Sequence, residues 1–311
     1  MITVEDLVFE YPTKRALHSI SLEIARGGIT ALVGPNGAGK TTLIRCLVAL
    51  ASPFSGRVLF DGIDVHQHPR EVHRRMGYLP DFYGLYEELT VRQCLTYIAS
   101  VQGSDPLKRE TLVESAAARL AIADRLDEKA GTLSRGLKQR LAIAQAIIHE
   151  PQFLVLDEPA SGLDPDARFQ LSKLLQQLRD GGMTLLVSSH ILAELEDYST
   201  HMIIIRDGKI ADQRAIAGTA DVVQSRRMLV VLDVPHPGLE TALTAAPGVS
   251  GVHVDGRSAR CRLEGGETAK QVLLRALVNA GLSVVEFREE AVRMQDTYME
   301  SMNKGGEGKG R

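Results

Sequence analysis

ITALVGPNGAGKTT, residues 29–42, runs from a short apolar stretch through a glycine-rich turn into the start of a helix. Glycines at 34, 37 and 39 let backbone N–H groups turn inward around an anion, with Pro35, Asn36 and Ala38 completing the loop. Lys40 is placed to reach outer phosphates, Thr41 offers a hydroxyl to Mg²⁺, and Thr42 continues into the helix, whose dipole adds positive potential. A strand before the loop and an apolar helix after it are the context that distinguishes a phosphate loop from a simple glycine turn. The expected fold is therefore α/β of the P-loop NTPase kind.

Two further apolar runs end in chemistry. FLVLDE finishes at Asp157 and Glu158, and TLLVSSH finishes at His190. Runs of this length, rich in leucine and β-branched residues, read as strands of a parallel sheet buried on both faces. Ligands of such sheets gather at the carboxyl ends of the strands, so all three ends are expected along one edge. There Asp157 is placed to hold Mg²⁺ through water, Glu158 to polarise a water for in-line attack on a γ-phosphate, and His190 to donate a hydrogen bond to that phosphate. Acids before Pro159 also cap strands, and a strand-end histidine is more often structural; the shared edge is what favours the chemical reading.

A second anion-binding pattern stands at residues 132–141, TLSRGLKQRL, where a small polar turn leads into a helix near Leu137. It caps an amphipathic helix with Leu141, Ala144 and Ile148 inward, and the same N–H groups suit a phosphate.

The 311 residues suffice for a full α/β core and a smaller second domain. A net charge of −3 gives none of the basic excess of a nucleic-acid binder, so no nucleic-acid partner is expected. Cys46, Cys94 and Cys261 are widely spaced, which points to free thiols in a reducing compartment and to neither disulfide nor zinc. No apolar run approaches the roughly 18 residues of a membrane span, and the N-terminus lacks a signal-peptide pattern. Helical spacing replaces strand patterns over about 85–132, which reads as a helical insertion. After residue 218 a β-α-β-β-α-β alternation suggests a small α+β, ferredoxin-like domain over 219–311. It ends in a helix with Ala291, Met294, Tyr298 and Met302 on one face and a disordered tail.

In this order the motifs resemble the ATP-binding subunit of ABC transporters, over roughly residues 2–218. GPNGAGKTT is similar to that family's phosphate loop, LSRGLKQR to its signature loop, FLVLDEP to its magnesium-and-base strand and SGLD to its dimer-contact loop. The resemblance implies ATP and Mg²⁺ as cofactors, adenine stacked on Tyr11, His190 as switch histidine, and Ser161, Gly162, Leu163 and Asp164 as dimer contacts. It also implies a head-to-tail pair with a second ATP-binding subunit, in which Ser134 and Gly136 hold the γ-phosphate of the partner's ATP. The wider implication is an ATPase that powers a separately encoded integral membrane permease, cytoplasmic and peripheral on the inner face of the membrane. The wording of the signature and the small added domain resemble the exporter-type (ABC-2-like) branch.

Two departures stand out. Arg135 and Leu137 occupy places where the signature has glycine and glutamine, and Asp81 stands where the family commonly has the glutamine that senses metal. Asp81 still offers oxygen to Mg²⁺ but adds negative charge. The stretch after it, through Phe82, Tyr83, Leu85 and Tyr86, is where the family receives its permease. A soluble regulator of ribosomes or DNA is the alternative; against it stand the single phosphate loop and the short insertion without heptads. No Asn-Lys-x-Asp segment supports a GTPase.

Overall fold

The computed structural model describes residues 1–196, 198–216 and 226–290. An apolar/polar alternation at the N-terminus builds the hairpin of β1 (Ile2–Tyr11) and β2 (Lys14–Ile24), with Ile2, Val4, Leu7, Leu17, Ile20 and Leu22 buried. β3 (Ile29–Val33) has every residue buried and feeds α1 (Lys40–Leu47). β4 (Ser55–Phe60) and β5 (Ile63–Asp64) join the hairpin in an antiparallel sheet of order β2-β1-β4-β5.

The chain then passes α2 (Pro69–His73) and β6 (Met76–Leu79) into the helical stretch. There α3 (Val91–Val101) and α4 (Arg109–Arg119) pack on each other and on α5 (Arg135–Ile147). Thr90 and Gln93 close a capping box at the start of α3. Residues 111–126 keep helical spacing, but α4 stops at Arg119 and Ala121 takes a left-handed φ of 52°. Leu120 and Ile122 are both fully buried. Two positions apart they point to different faces of a helix, so the break is what lets both reach the core.

β7 (Phe153–Asp157), α6 (Pro165–Asp180), β8 (Thr184–Ser189), α7 (Leu192–Glu196), β9 (His201–Arg206) and β10 (Lys209–Ala215) complete this unit. Its main sheet has the order β10-β9-β3-β8-β7-β6, and β9, β3, β8, β7 and β6 run parallel. Phe60, Phe153, Leu32 and Ile44 are fully buried in a core shared by this sheet, α1 and the antiparallel sheet.

A second packed unit begins near Ala215. β11 (Arg226–Leu232), α8 (Leu239–Thr244), β12 (Val249–Asp255), β13 (Ser258–Leu263), α9 (Glu267–Asn279) and β14 (Val284–Glu289) follow in β-α-β-β-α-β order. They form an antiparallel sheet ordered β12-β13-β11-β14. Met228, Val230, Cys261, Leu273 and Leu277 close its core. The expected boundary after 218, the helix face of Ala291, Met294, Tyr298 and Met302, and the tail lie outside the described residues.

Gly77 positions the signature helix α5. It lies on β6, and a Cβ built there would come within 2.3 Å of the Ala146 carbonyl of α5. Gly77→Ala should therefore force α5 off the sheet and destabilise the unit by about 1–3 kcal/mol, read as a lowered chemical-denaturation midpoint. An unchanged midpoint would mean that this contact does not set the helix position.

Candidate active site

Strand register brings the site together. Val33 of β3 is level with Ser189 of β8, Ser188 with Asp157 of β7, and Leu156 with Leu79 of β6. Gly34, Glu158, His190 and Asp81 therefore leave the sheet along a single edge, at the carboxyl ends of parallel strands.

In the phosphate loop Gly37 and Gly39 take positive φ, and Gly39 caps α1 with no side-chain hydrogen bond and no acid in the first turn. The N-terminal N–H groups of α1 thus meet no side-chain acceptor from the cap, as an anion site requires. Lys40 is 6% exposed and folds back over the loop, donating to the Gly34 carbonyl at 2.8 Å. Its Nζ also lies 3.4 Å from Glu158 Oε1. Thr41 faces solvent, and Thr42 Oγ1 is 3.2 Å from the Tyr11 hydroxyl. That bond draws the Tyr11 ring to the start of α1, where it packs edge-on against Phe9 and stays half exposed.

The acids are held from the middle strand. Ser188 Oγ accepts the Glu158 N–H at 2.9 Å and donates to Asp157 Oδ1 at 2.5 Å. Glu158 takes a left-handed φ of 50°, a conformation that costs a non-glycine residue about 1–3 kcal/mol and often marks a functional position. Its Oε2 lies 2.8 Å from His190 Nδ1, so Lys40 and His190 hold its two oxygens from different sides. Sequence reading missed Ser188; a serine one position before the end of an otherwise apolar strand run was the signal available.

Asp157 is 1% exposed, and its Oδ2 is buried without a hydrogen-bond partner. Such an orphaned carboxylate oxygen fits an ion ligand, directly or through water. Among the described residues no group of three His, Cys, Asp or Glu side chains gathers to hold a metal. Magnesium fits such a site, because it usually keeps waters and takes phosphate oxygens beside one or two carboxylates. Asp81 is exposed at the rim, and its carboxyl titrates above the usual range, first through partial burial and then through the charges of Asp157 and Glu158.

The second anion pattern is built elsewhere in the unit. α5 begins at Arg135, two residues before the expected start near Leu137, because Ser134 takes the extended capping conformation and its Oγ accepts the Leu137 N–H. Gly136 lies in the first turn, opposite Ala167 of α6. Among the described residues no hydrogen bond or ion pair joins Ser134 or Gly136 to the phosphate loop. The SGLD turn follows directly from the base: Ser161 N–H donates to the Glu158 carbonyl at 3.0 Å, and Leu163 N–H to that of Ala160 at 3.2 Å. Asp164 caps α6 through the Ala167 N–H at 2.8 Å.

Beyond Asp81, Phe82 is 91% exposed and Tyr86 half exposed against Tyr97, whereas Tyr83 turns in and donates to Gln139 Oε1 at 2.5 Å. A groove of about 420 Å³ runs alongside, between β6 and the helices, lined by Leu50, Met76, Leu79, Tyr83, Ile98 and Ala146 among others.

Comparison with known proteins gives a consistent result. The ABC transporter family profile matches residues 17–161. The uncharacterised ABC transporter ATP-binding protein YxlF of Bacillus subtilis is 30% identical over 300 residues, covering 96% of this chain and 98% of its own. The Nod factor export ATP-binding protein I of Rhizobium meliloti is 28% identical, over 96% of this chain and 87% of its own. A solved ATP-binding subunit of an ABC transporter superposes with a TM-score of 0.62 at 30% identity, over 69% of this chain and 90% of that one.

The raised Asp81 pKa carries a stability consequence. A carboxyl whose folded pKa lies above its unfolded value stabilises the fold below the unfolded pKa and loses that contribution as pH rises through the folded value. At pH 7 the charge therefore works against the fold. Asp81→Asn should raise the melting temperature at pH 7, with the gain shrinking as pH falls into the carboxylate range; a gain that is independent of pH, or a loss, would contradict this.

Proposed function

The chain belongs to the family of ABC transporter ATP-binding proteins, and on that basis we propose the residues and partners by which it works. As a member of that family it binds ATP and hydrolyses it to power transport. The observation that supports the residue assignment is the level register of β3, β8 and β7, which brings residues 34, 157, 158 and 190 to one edge.

In this reading the triphosphate lies on residues 34–42 with adenine against Tyr11. Lys40 leaves Glu158 for the outer phosphates, whose larger negative charge outcompetes a single carboxylate 3.4 Å away. Thr41, Asp157 and Asp81 would hold Mg²⁺, which when bound would neutralise charge developing on the outer phosphates. Glu158, freed from Lys40, accepts the proton of the attacking water, and His190 orients it through the 2.8 Å contact.

The chain works as one of two ATP-binding subunits. Ser134 and Gly136 at the start of α5 close on the γ-phosphate bound by the partner, with Ser161, Gly162, Leu163 and Asp164 at the seam. Support comes from the first turn of α5, which has no acid of its own to occupy its N–H groups. Two bound triphosphates bridge two like surfaces, so hydrolysis removes the bridge.

No helix among the described residues is long and apolar enough to cross a membrane. We assign the membrane-spanning step to a separate permease, docked over the groove beside β6 and the exposed Phe82, on the inner face of the membrane. Export is the direction favoured, by likeness to the Nod factor export protein. The comparisons do not favour a ribosomal or DNA-bound regulator.

Glu158→Gln should lower the ATP turnover rate by 10²-fold or more, the roughly 10²–10⁴-fold contribution of a general base, while nucleotide affinity stays within a factor of a few. A variant turning over at the wild-type rate would assign the base to another residue.

A further inference from the structure

Among the described residues, Arg135 is the residue of the signature turn that hydrogen-bonds to the turn following Glu158. Its Nη2 donates to the Ser161 carbonyl at 3.0 Å. The guanidinium lies against Gly162, which has a φ of 67°, and a Cβ built there would come within 2.1 Å of Arg135 Nη2. The neighbouring Ser161 N–H donates to the Glu158 carbonyl at 3.0 Å. Two hydrogen bonds thus run from the first turn of α5 to the backbone of the base, which is itself held in a left-handed conformation.

The same helix end is fixed from the other side. Gln139 accepts from Tyr83, and Lys138 pairs with Glu87 at 2.8 Å. With α5 tied at both flanks, a displacement of its N-terminus is transmitted through Arg135 rather than absorbed by a loose turn.

We propose that Arg135 is a positioning residue that couples the two nucleotide sites: closure of the signature turn on the partner's ATP sets the backbone of Glu158 in the same chain through the Ser161 carbonyl. This deepens, and rests on, the two-subunit reading above. The base of each site is then competent only when its own chain has engaged the other nucleotide, so hydrolysis is cooperative in ATP. Gly162 suits this contact because its φ of 67° favours glycine and a Cβ there would push the guanidinium aside.

The test uses the full chain and two readouts, steady-state ATP hydrolysis and ATP-induced association measured in the Glu158→Gln background. Arg135→Gly should lower turnover about tenfold and bring the Hill coefficient toward 1, while the ATP concentration for association moves less than about twofold. Arg135→Lys, which keeps one donor for the carbonyl, should recover most of the turnover. Gly162→Ala should lower turnover similarly, and combined with Arg135→Gly it should lose little more than either alone. Unchanged turnover and Hill coefficient in Arg135→Gly, or fully multiplicative losses in the double variant, would overturn the coupling. An equal loss in association would overturn it in favour of a direct contact with the partner's nucleotide. A wild-type chain that hydrolyses ATP but does not associate with it would remove the two-subunit reading and the coupling together.

Discussion

Ser188 is fully buried on the central strand β8, and its single hydroxyl accepts the Glu158 N–H while donating to Asp157 Oδ1. The arrangement of the edge depends on that pair of bonds. They fix which oxygen of Asp157 remains unpartnered, and they anchor the left-handed turn that swings Glu158 away from β7 toward Lys40 and His190. A serine can play this part only because parallel register sets it level with Asp157, one strand from the phosphate loop. In so buried a place each unmade bond would cost about 1–3 kcal/mol, so geometry and stability impose the same arrangement.

Electrostatics then explains why the site suits a nucleotide that arrives with a cation. Asp81, Asp157 and Glu158 put three carboxyls near one another, offset by the Lys40 ammonium, while His190 contacts Glu158. An incoming triphosphate adds more negative charge, and a divalent ion is the group that makes the sum tolerable.

The phosphate loop, the acids before Pro159 and His190 were legible in the sequence because each ends a continuous apolar run, and such runs have few structural meanings. The antiparallel sheet of β1, β2, β4 and β5 was not read, since its strands alternate with charged positions such as Glu5, Arg15 and Arg57 and carry no motif. The break at Ala121 escaped because residues 111–126 keep helical spacing, and only the burial of both Leu120 and Ile122 reveals the conflict. Ser188 and the Arg135–Ser161 bond were invisible for another reason: both depend on which residues fold opposite each other, which spacing along the chain does not encode.

The most direct test of the account is the structure of the Glu158→Gln protein with ATP and Mg²⁺. The account predicts the triphosphate on residues 34–42, the ion between Thr41 and Asp157, and the γ-phosphate covered by Ser134 and Gly136 of a second chain. A γ-phosphate covered by residues of its own chain, or left open to solvent with Ser134 turned elsewhere, would contradict it.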